Sequence, residues 1–484
     1  MLDDTLPTWT PGDLWSRSRV TYHRLYSLGR LFFTVRVQSH TLRALPSLVL
    51  VVAWLTACSA PPPAAAPTSA PAAPAATSAP AAAAQPAQSG GAATGSPIKI
   101  GYEADANGTS APIAAGMHIG TDMAVQQINA AGGINGHPIQ VTYVDPQSDP
   151  TQASQMATQL IQNDKVDVLM GAVLSSECLV VQQLVAKLQV VYLPTFGCAA
   201  EEFSSQSCNR YSFRFEPVGR QTLGPLVDYI VKNYGKNWAM MYSDYAYGQS
   251  QLKAYQGALA PLGASITLPI PVPQNEPNLA PYVTKVPTDG SINGVIINGL
   301  GAGDLTRVSL ALGQYGIAGK VQVIGNSGRD VYGGSYPDFL KGSVAAPQPY
   351  ISGQPPNNPY GDAYDKAFSD MAHKETDWAN IFGGADVALP FEAYYEYSAM
   401  TALKSAMVAA NFTGRADSDA LISALEKVNI PLGPDAPGGA IIMNPQDHQG
   451  AQTEYVYRVA GPKEEEILAT IPADQIPKFN TCHV

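Results

Sequence analysis

Long apolar runs, positive charge and grouped metal ligands are what this sequence has least of. The apolar run at residues 48–55 holds eight residues, well short of the ~20 that a membrane-spanning helix needs. Charged residues make up 14% of the 484, with 39 acids against 28 bases and a formal net charge of -11. An acidic chain lacks the basic face that releases counterions from a phosphate backbone, which argues against nucleic acid as a partner. The seven histidines are scattered, with no His-x-x-x-His pair, so no metal ligand set is legible. Neither a P-loop nor a Gly-x-Ser-x-Gly elbow occurs. The run Gly299-Leu300-Gly301-Ala302-Gly303-Asp304 lacks the last glycine of a dinucleotide fingerprint, so no cofactor is expected. With no recognisable set of nucleophile, base and orienting group, an enzyme is disfavoured.

What is present is organised around residues 98–145. An extended run, Ile98-Lys99-Ile100-Gly101-Tyr102, leads through a small-residue loop into a segment opened by Pro112. There Met117, Thr121, Ala124 and Ile128 recur at steps of four, three and four, which puts them on one helical face. Ala131-Gly132-Gly133 supplies the stop, and residues 139–144 read as a second strand. This is a β-α-β unit, the building block of a parallel sheet. Alternation continues with strands expected at 166–170, 190–193, 211–215, 238–242, 265–270, 294–297 and 321–324, separated by helical segments. Two β-α series of similar length imply two doubly wound parallel-sheet lobes of α/β class.

The string Ile128-Asn129-Ala130-Ala131-Gly132-Gly133-Ile134-Asn135-Gly136 resembles the "IN..GGI.G" stretch of type I periplasmic binding proteins of the branched-chain amino acid transporter kind. Val144-Asp145-Pro146-Gln147-Ser148-Asp149-Pro150 continues the resemblance, which covers roughly residues 98–470. It implies two lobes joined by three hinge crossings. Proline and glycine place these near Glu216-Pro217, Ala346-Pro347 and Gly433-Pro434. Lobe 1 is then expected at 98–216 and 347–433, and lobe 2 at 217–346 and 434–484.

The N-terminus reads as an address. Residues 1–57 carry six arginines, no lysine and three acids. The short apolar core then ends in Leu55-Thr56-Ala57-Cys58, which resembles the bacterial lipobox. Cleavage there would leave Cys58 lipidated and 22 basic against 36 acidic residues in the mature chain. Residues 58–97 form an Ala/Pro-rich linker, without a charged residue, that cannot bury enough apolar surface to order itself. Four further cysteines, Cys178, Cys198, Cys208 and Cys482, allow three full pairings. Cys198 and Cys208 flank a short polar loop and are the expected bridge, with pairings of Cys178 to either left open.

In open parallel sheets, ligands bind where C-terminal strand ends meet helix N-termini. By the resemblance, Ser175, with Ser176 beside it, holds the ligand's carboxylate, and Thr195 and Gly197 supply a hydroxyl and a carbonyl. Asp244-Tyr245-Ala246-Tyr247-Gly248 is similar to the family's "D..YG" signature, which puts Tyr247 over the ligand. A family tyrosine is replaced within Asn298-Gly299-Leu300-Gly301, where Leu300 is the candidate. The glutamate that receives an α-ammonium aligns with Ser327, or with Asn326 on a one-residue shift, and Glu177 or Asp330 is available to compensate. The loop from Asp105 to Ser110 departs from the family's apolar pattern and is placed to reach the cleft.

These readings imply a lipid-anchored solute receptor outside the cytoplasm, in the periplasm or at the cell surface. It acts as a monomer, closes on a small polar ligand and presents it to an ABC permease and ATPase complex. The alternative is a lipoprotein of the same fold that reports to a signalling partner.

Overall fold

The computed structural model describes residues 93–484, apart from 109, 197, 200–202, 204–206, 217–218, 326–336, 387–390, 462–463, 479–481 and 483–484. Cys58 and the linker expected before residue 93 lie outside the described residues. So do Gly197, Asn326, Ser327 and Asp330.

Strands β1 (Ile98–Glu103), β2 (Ile139–Val144), β3 (Val168–Gly171) and β4 (Val191–Leu193) form a parallel sheet ordered β2-β1-β3-β4. Helices α1 (Ala111–Ala130), α2 (Pro150–Gln162) and α3 (Ser175–Leu188) make the crossovers that parallel neighbours require. Ile98, Ile100 and Tyr102 of β1 pack into one core with Met117, Ala124 and Ile128 of α1. On the opposite face a Cβ at Gly101 would come within 3.0 Å of Leu160 on α2, so the missing side chain lets that helix approach. Asp149 caps α2, accepting from the amides of Thr151 at 2.7 Å and Gln152 at 3.0 Å.

The second lobe repeats the scheme. Helix α4 (Gly219–Asn233) leads into β5 (Asn237–Ser243), α5 (Ala246–Leu259) and β6 (Ser265–Val272). Then follow α6 (Ala280–Val283), β7 (Gly294–Ile297), α7 (Ala302–Gln314) and β8 (Gln322–Ile324). Its sheet runs β6-β5-β7-β8, again all parallel.

The chain then returns to the first lobe through α8 (Pro359–Lys374), α9 (Thr376–Ile381) and α10 (Phe391–Ala409). Phe368, Met371, Met400 and Leu403 join the first core. Helices α1 and α10 approach so closely that a Cβ on Gly120 would lie 2.3 Å from the carbonyl oxygen of Ala393. Next come α11 (Ser418–Leu425) and three antiparallel strands, β9 (Asn429–Ile430), β10 (Ile441–Asn444) and β11 (Gln449–Gln452). The hairpin β12 (Glu454–Gly461) and β13 (Glu464–Ile471) joins the second sheet through Val344, which bridges Ile324 and Arg458.

Two expectations are corrected here. The third crossing does not fall at Gly433-Pro434. That dipeptide makes a turn within the first lobe, closed by the Gly433 amide donating to Ala436 O at 3.3 Å, and Ile441 and Met443 pack in the first core. The chain crosses instead between Gln452 and Glu454, because glycine and proline mark a reversal without saying which lobe it serves. The second correction is the disulfide pairing. Cys178 bridges Cys198, with Cα atoms 5.7 Å apart, and Cys208 bridges Cys482 across 274 residues. Cys178 lies in the first turn of α3, beside the loop that follows β4, so the tertiary fold outcompetes the shorter loop.

The three crossings lie side by side. Arg214 bridges Gln449, and Gln348 bridges Tyr455. The side-chain amides of Gln449 and Gln452 donate to Glu216 O at 2.6 Å and Phe215 O at 3.1 Å. Among the described residues no helix is long and apolar enough to cross a membrane.

Candidate functional site

The C-terminal ends of both sheets face a cavity of about 140 Å³. From the first lobe Val173 and Leu174 after β3, Phe196 after β4 and Ser110 before α1 line it. Ala172 takes φ 66° and Gly171 φ 93°, which turns the chain sharply from β3 toward the cavity. From the second lobe come Tyr245 and Tyr247 after β5, Asn298 to Gly301 after β7, and Gly325 after β8. The crossings add Glu216, Gln348 and Glu454, and α10 adds Glu392 and Tyr395.

Four carboxylates therefore border this space: Glu216, Asp304, Glu392 and Glu454. Glu216 and Asp304 pair with arginines. Arg214, itself 2% exposed, donates to Glu216 at 2.6 Å. Asp304 accepts from Arg307 at 3.0 Å and from the Asn275 amide at 3.0 Å. Glu454 is 1% exposed, and its Oε1 has no hydrogen-bond partner among the described residues. Burial first, and then the charge of Glu216, holds its pKa well above the usual carboxylate range. Burial likewise raises the hydroxyl pKa values of Tyr245 and Tyr247.

The residues expected at the site divide. Tyr247 and Leu300 line the cavity. Ser175 is fully buried as the first residue of α3 and does not line it, and neither does Ser176; the preceding Val173 and Leu174 do. Thr195 is fully buried and does not line the cavity, and its Oγ1 has no hydrogen-bond partner among the described residues. Glu177 does not compensate for the missing glutamate. Its carboxylate turns back to accept from the Leu174 amide at 2.9 Å, capping its own helix. Of the loop after β1, Ser110 reaches the cavity, whereas Asp105 holds Ser148 through its amide at 3.1 Å and hydroxyl at 3.0 Å.

Sequence reasoning missed Glu392 and Glu454, and it named Glu216 only as punctuation. The one available signal was the acid beside Pro217 at a crossing. Glu392 and Glu454 stand in no motif and reach the cavity only through tertiary folding.

Buried acids also lie behind the first-lobe wall. Burial, with a smaller contribution from Asp105, pushes the pKa of Glu177 up to about 8. Burial pushes Glu396 up to about 8 against hydrogen bonds that lower it. Away from the cavity, His118 Nε2 lies 3.2 Å from Asp122 and 3.5 Å from Glu375, with Trp378 stacked on its ring at 3.9 Å. These three ligand atoms fall within 4.8 Å of one another and form a group that could hold a metal ion. Paired histidines would not have found it, because Glu375 joins from the junction between α8 and α9.

Two doubly wound lobes, three adjacent crossings and a cavity between the strand ends define a clamshell receptor fold. The chain belongs to the periplasmic binding protein family, which it matches over residues 97–464. Solved structures agree at the level of the fold. An ABC transporter substrate-binding protein from Sphaerobacter thermophilus superposes with a TM-score of 0.67 at 19% identity, covering 78% of this chain and 99% of that one. A solute-binding protein of an ABC transporter from Rhodopseudomonas palustris BisB5, in complex with 3,4-dihydroxybenzoic acid, gives 0.66 at 20%, covering 78% and 97%. A leucine-binding protein from Thermotoga maritima gives 0.64 at 15%, covering 78% and 99%. No curated protein matches the sequence.

Proposed function

We propose that this protein is the extracytoplasmic solute-binding component of an ABC importer, held to the membrane by lipid on Cys58 and acting as a monomer. It captures one small polar ligand between its lobes, closes about the three crossings and delivers the ligand to a permease and ATPase complex. It carries out no catalysis. The observation that carries this reading is the cavity itself, lined from both lobes and from all three crossings. A hinge whose own residues touch the ligand is one whose equilibrium the ligand shifts. The space of about 140 Å³ is close to the ~150 Å³ cavity that accepts a single benzene ring, so the ligand is one ring or a short branched chain. That the structural neighbours include aromatic-acid and leucine binders supports a ligand of this size. The sensing alternative gains no support from these comparisons. The test is a thermal-shift screen of the full chain against amino acids, amides, amines and small aromatic acids. A ligand at a hundred times its Kd adds about 2.7 kcal/mol of apparent stability. No shift with any small solute would refute the proposal.

A further inference from the structure

We infer that the ligand is an organic cation, an amine or quaternary ammonium, with its charged nitrogen seated against Glu454 among the rings of Tyr247, Phe196 and Tyr395. This deepens the receptor reading and rests on it. The first ground is charge: four carboxylates border the cavity, and no lysine, arginine or histidine is among the described residues that line it. The nearby Arg214 pairs its charge with Glu216 at 2.6 Å and donates to Gln449 at 3.2 Å, while its Nε has no partner among the described residues. Among the described lining residues an anionic ligand would find no cationic side chain to pair with, and burying an unpaired charge is costly. The second ground is Glu454, whose Oε1 is buried at the cavity wall with no hydrogen-bond partner among the described residues. A buried acceptor left in that state loses its hydration without return, and a charged N–H donor or an ammonium supplies the missing interaction. The third ground is aromatic. Phe196 and Tyr395 lie 6.0 Å apart, Tyr245 and Tyr247 6.3 Å apart, and all four line the cavity. Ring pairs from both lobes with a carboxylate nearby are the setting in which cations are held by π faces.

A thermodynamic signature follows. Glu454 is surrounded by Glu216 and Arg214 of the first crossing, Tyr394, Tyr395 and Glu392 of α10, Tyr247 of α5 and its neighbour Tyr455. Burial and the Glu216 charge keep the proton on Glu454 to unusually high pH, so a cation seated beside it lowers that pKa and expels the proton.

The experiment is isothermal titration of the full chain at neutral pH, in two buffers of different ionisation heat. The probes are isoamylamine, choline, leucine, 4-methylpentanoate, benzoate and the neutral solute acetamide. Expected are binding of isoamylamine or choline, proton release on binding, and no binding by the two anions; binding of leucine alone would overturn the inference, since its carboxylate enters the same cavity. Glu454→Gln should weaken binding of isoamylamine or choline at least tenfold and abolish the proton release. If the variant does not fold, the matched amine and acid on one carbon skeleton decide the question with the wild type. Binding of 4-methylpentanoate or benzoate in preference to every cation overturns the inference and leaves the receptor reading standing, as does binding of acetamide alone. Silence from every probe overturns the inference; silence across the wider solute screen overturns the receptor reading as well.

Discussion

Replacing Glu396 by Gln should change how stability depends on pH, by an amount the structure sets. Glu396 sits on α10 with no exposed surface, and Thr121 Oγ1 lies 3.3 Å from its Oε2. Burial pushes its pKa from the ordinary 4.5 up to about 8. Between these values the folded protein keeps a proton that the unfolded chain has released. The unfolded state therefore binds fewer protons, and stability falls as pH rises. The stability is fully present below pH 4.5 and lost as pH climbs through about 8. At 1.36 kcal/mol per unit, the loss by pH 8 is about 4–5 kcal/mol from this residue alone. Glutamine approximates the neutral acid and has nothing to ionise. Urea unfolding of wild type and Glu396→Gln at several pH values cancels the contributions of Glu177 and the surface acids, which both proteins share. The advantage of the variant should grow by about 1.4 kcal/mol per pH unit between pH 5 and 7.5. A difference that stays constant with pH would refute the assignment of Glu396 as a buried, protonated acid.

Four further outcomes follow from the packing, the cross-links and the cavity. Gly120→Ala should lower stability by about 2 kcal/mol in chemical denaturation, because overpacking against the Ala393 carbonyl outweighs the gain of about 1 kcal/mol in helix propensity. Opening the Cys208–Cys482 bridge by Cys→Ser at both positions releases a loop of 274 residues, and chain entropy predicts a loss of about 5 kcal/mol in unfolding free energy. Opening Cys178–Cys198, which spans 20 residues, should cost about 3 kcal/mol by the same relation, and a loss as large as that for the long bridge would contradict the entropic account. Tyr247→Ala should weaken ligand binding at least tenfold in isothermal titration while leaving the unliganded melting midpoint within a few degrees, since Tyr247 borders the cavity and belongs to none of the apolar cores.

How far the sequence reaches depends on how local the determining physics is. The β-α-β opening was legible because Met117, Thr121, Ala124 and Ile128 must share a helical face, and all four are buried in α1. Strand ends could be found in the same way, and with them Tyr247 and Leu300. The serines after β3 show the limit of alignment by type: Leu174 faces the cavity, while Ser175, one residue later, is buried within α3. Three of the four acids that border the cavity come from positions 216, 392 and 454, on two crossings and a returning helix. Their convergence is a property of the tertiary fold and has no short-range signature. The third crossing was misplaced for a related reason, since Gly433-Pro434 is a genuine turn and only the burial of Ile441 and Met443 shows that the chain has not yet left the first lobe.

The most direct test of the central claim is a titration of the full chain, compared with Leu300→Trp, against whichever small solute raises the wild-type melting midpoint. Leu300 borders the cavity and is 7% exposed, so an indole there fills the space between the lobes. A solute held in the inter-lobe cavity binds the wild type with one-to-one stoichiometry and loses measurable affinity for the variant, whose own unliganded midpoint shows that it is folded. Equal affinity for both proteins would place the ligand elsewhere and contradict the account.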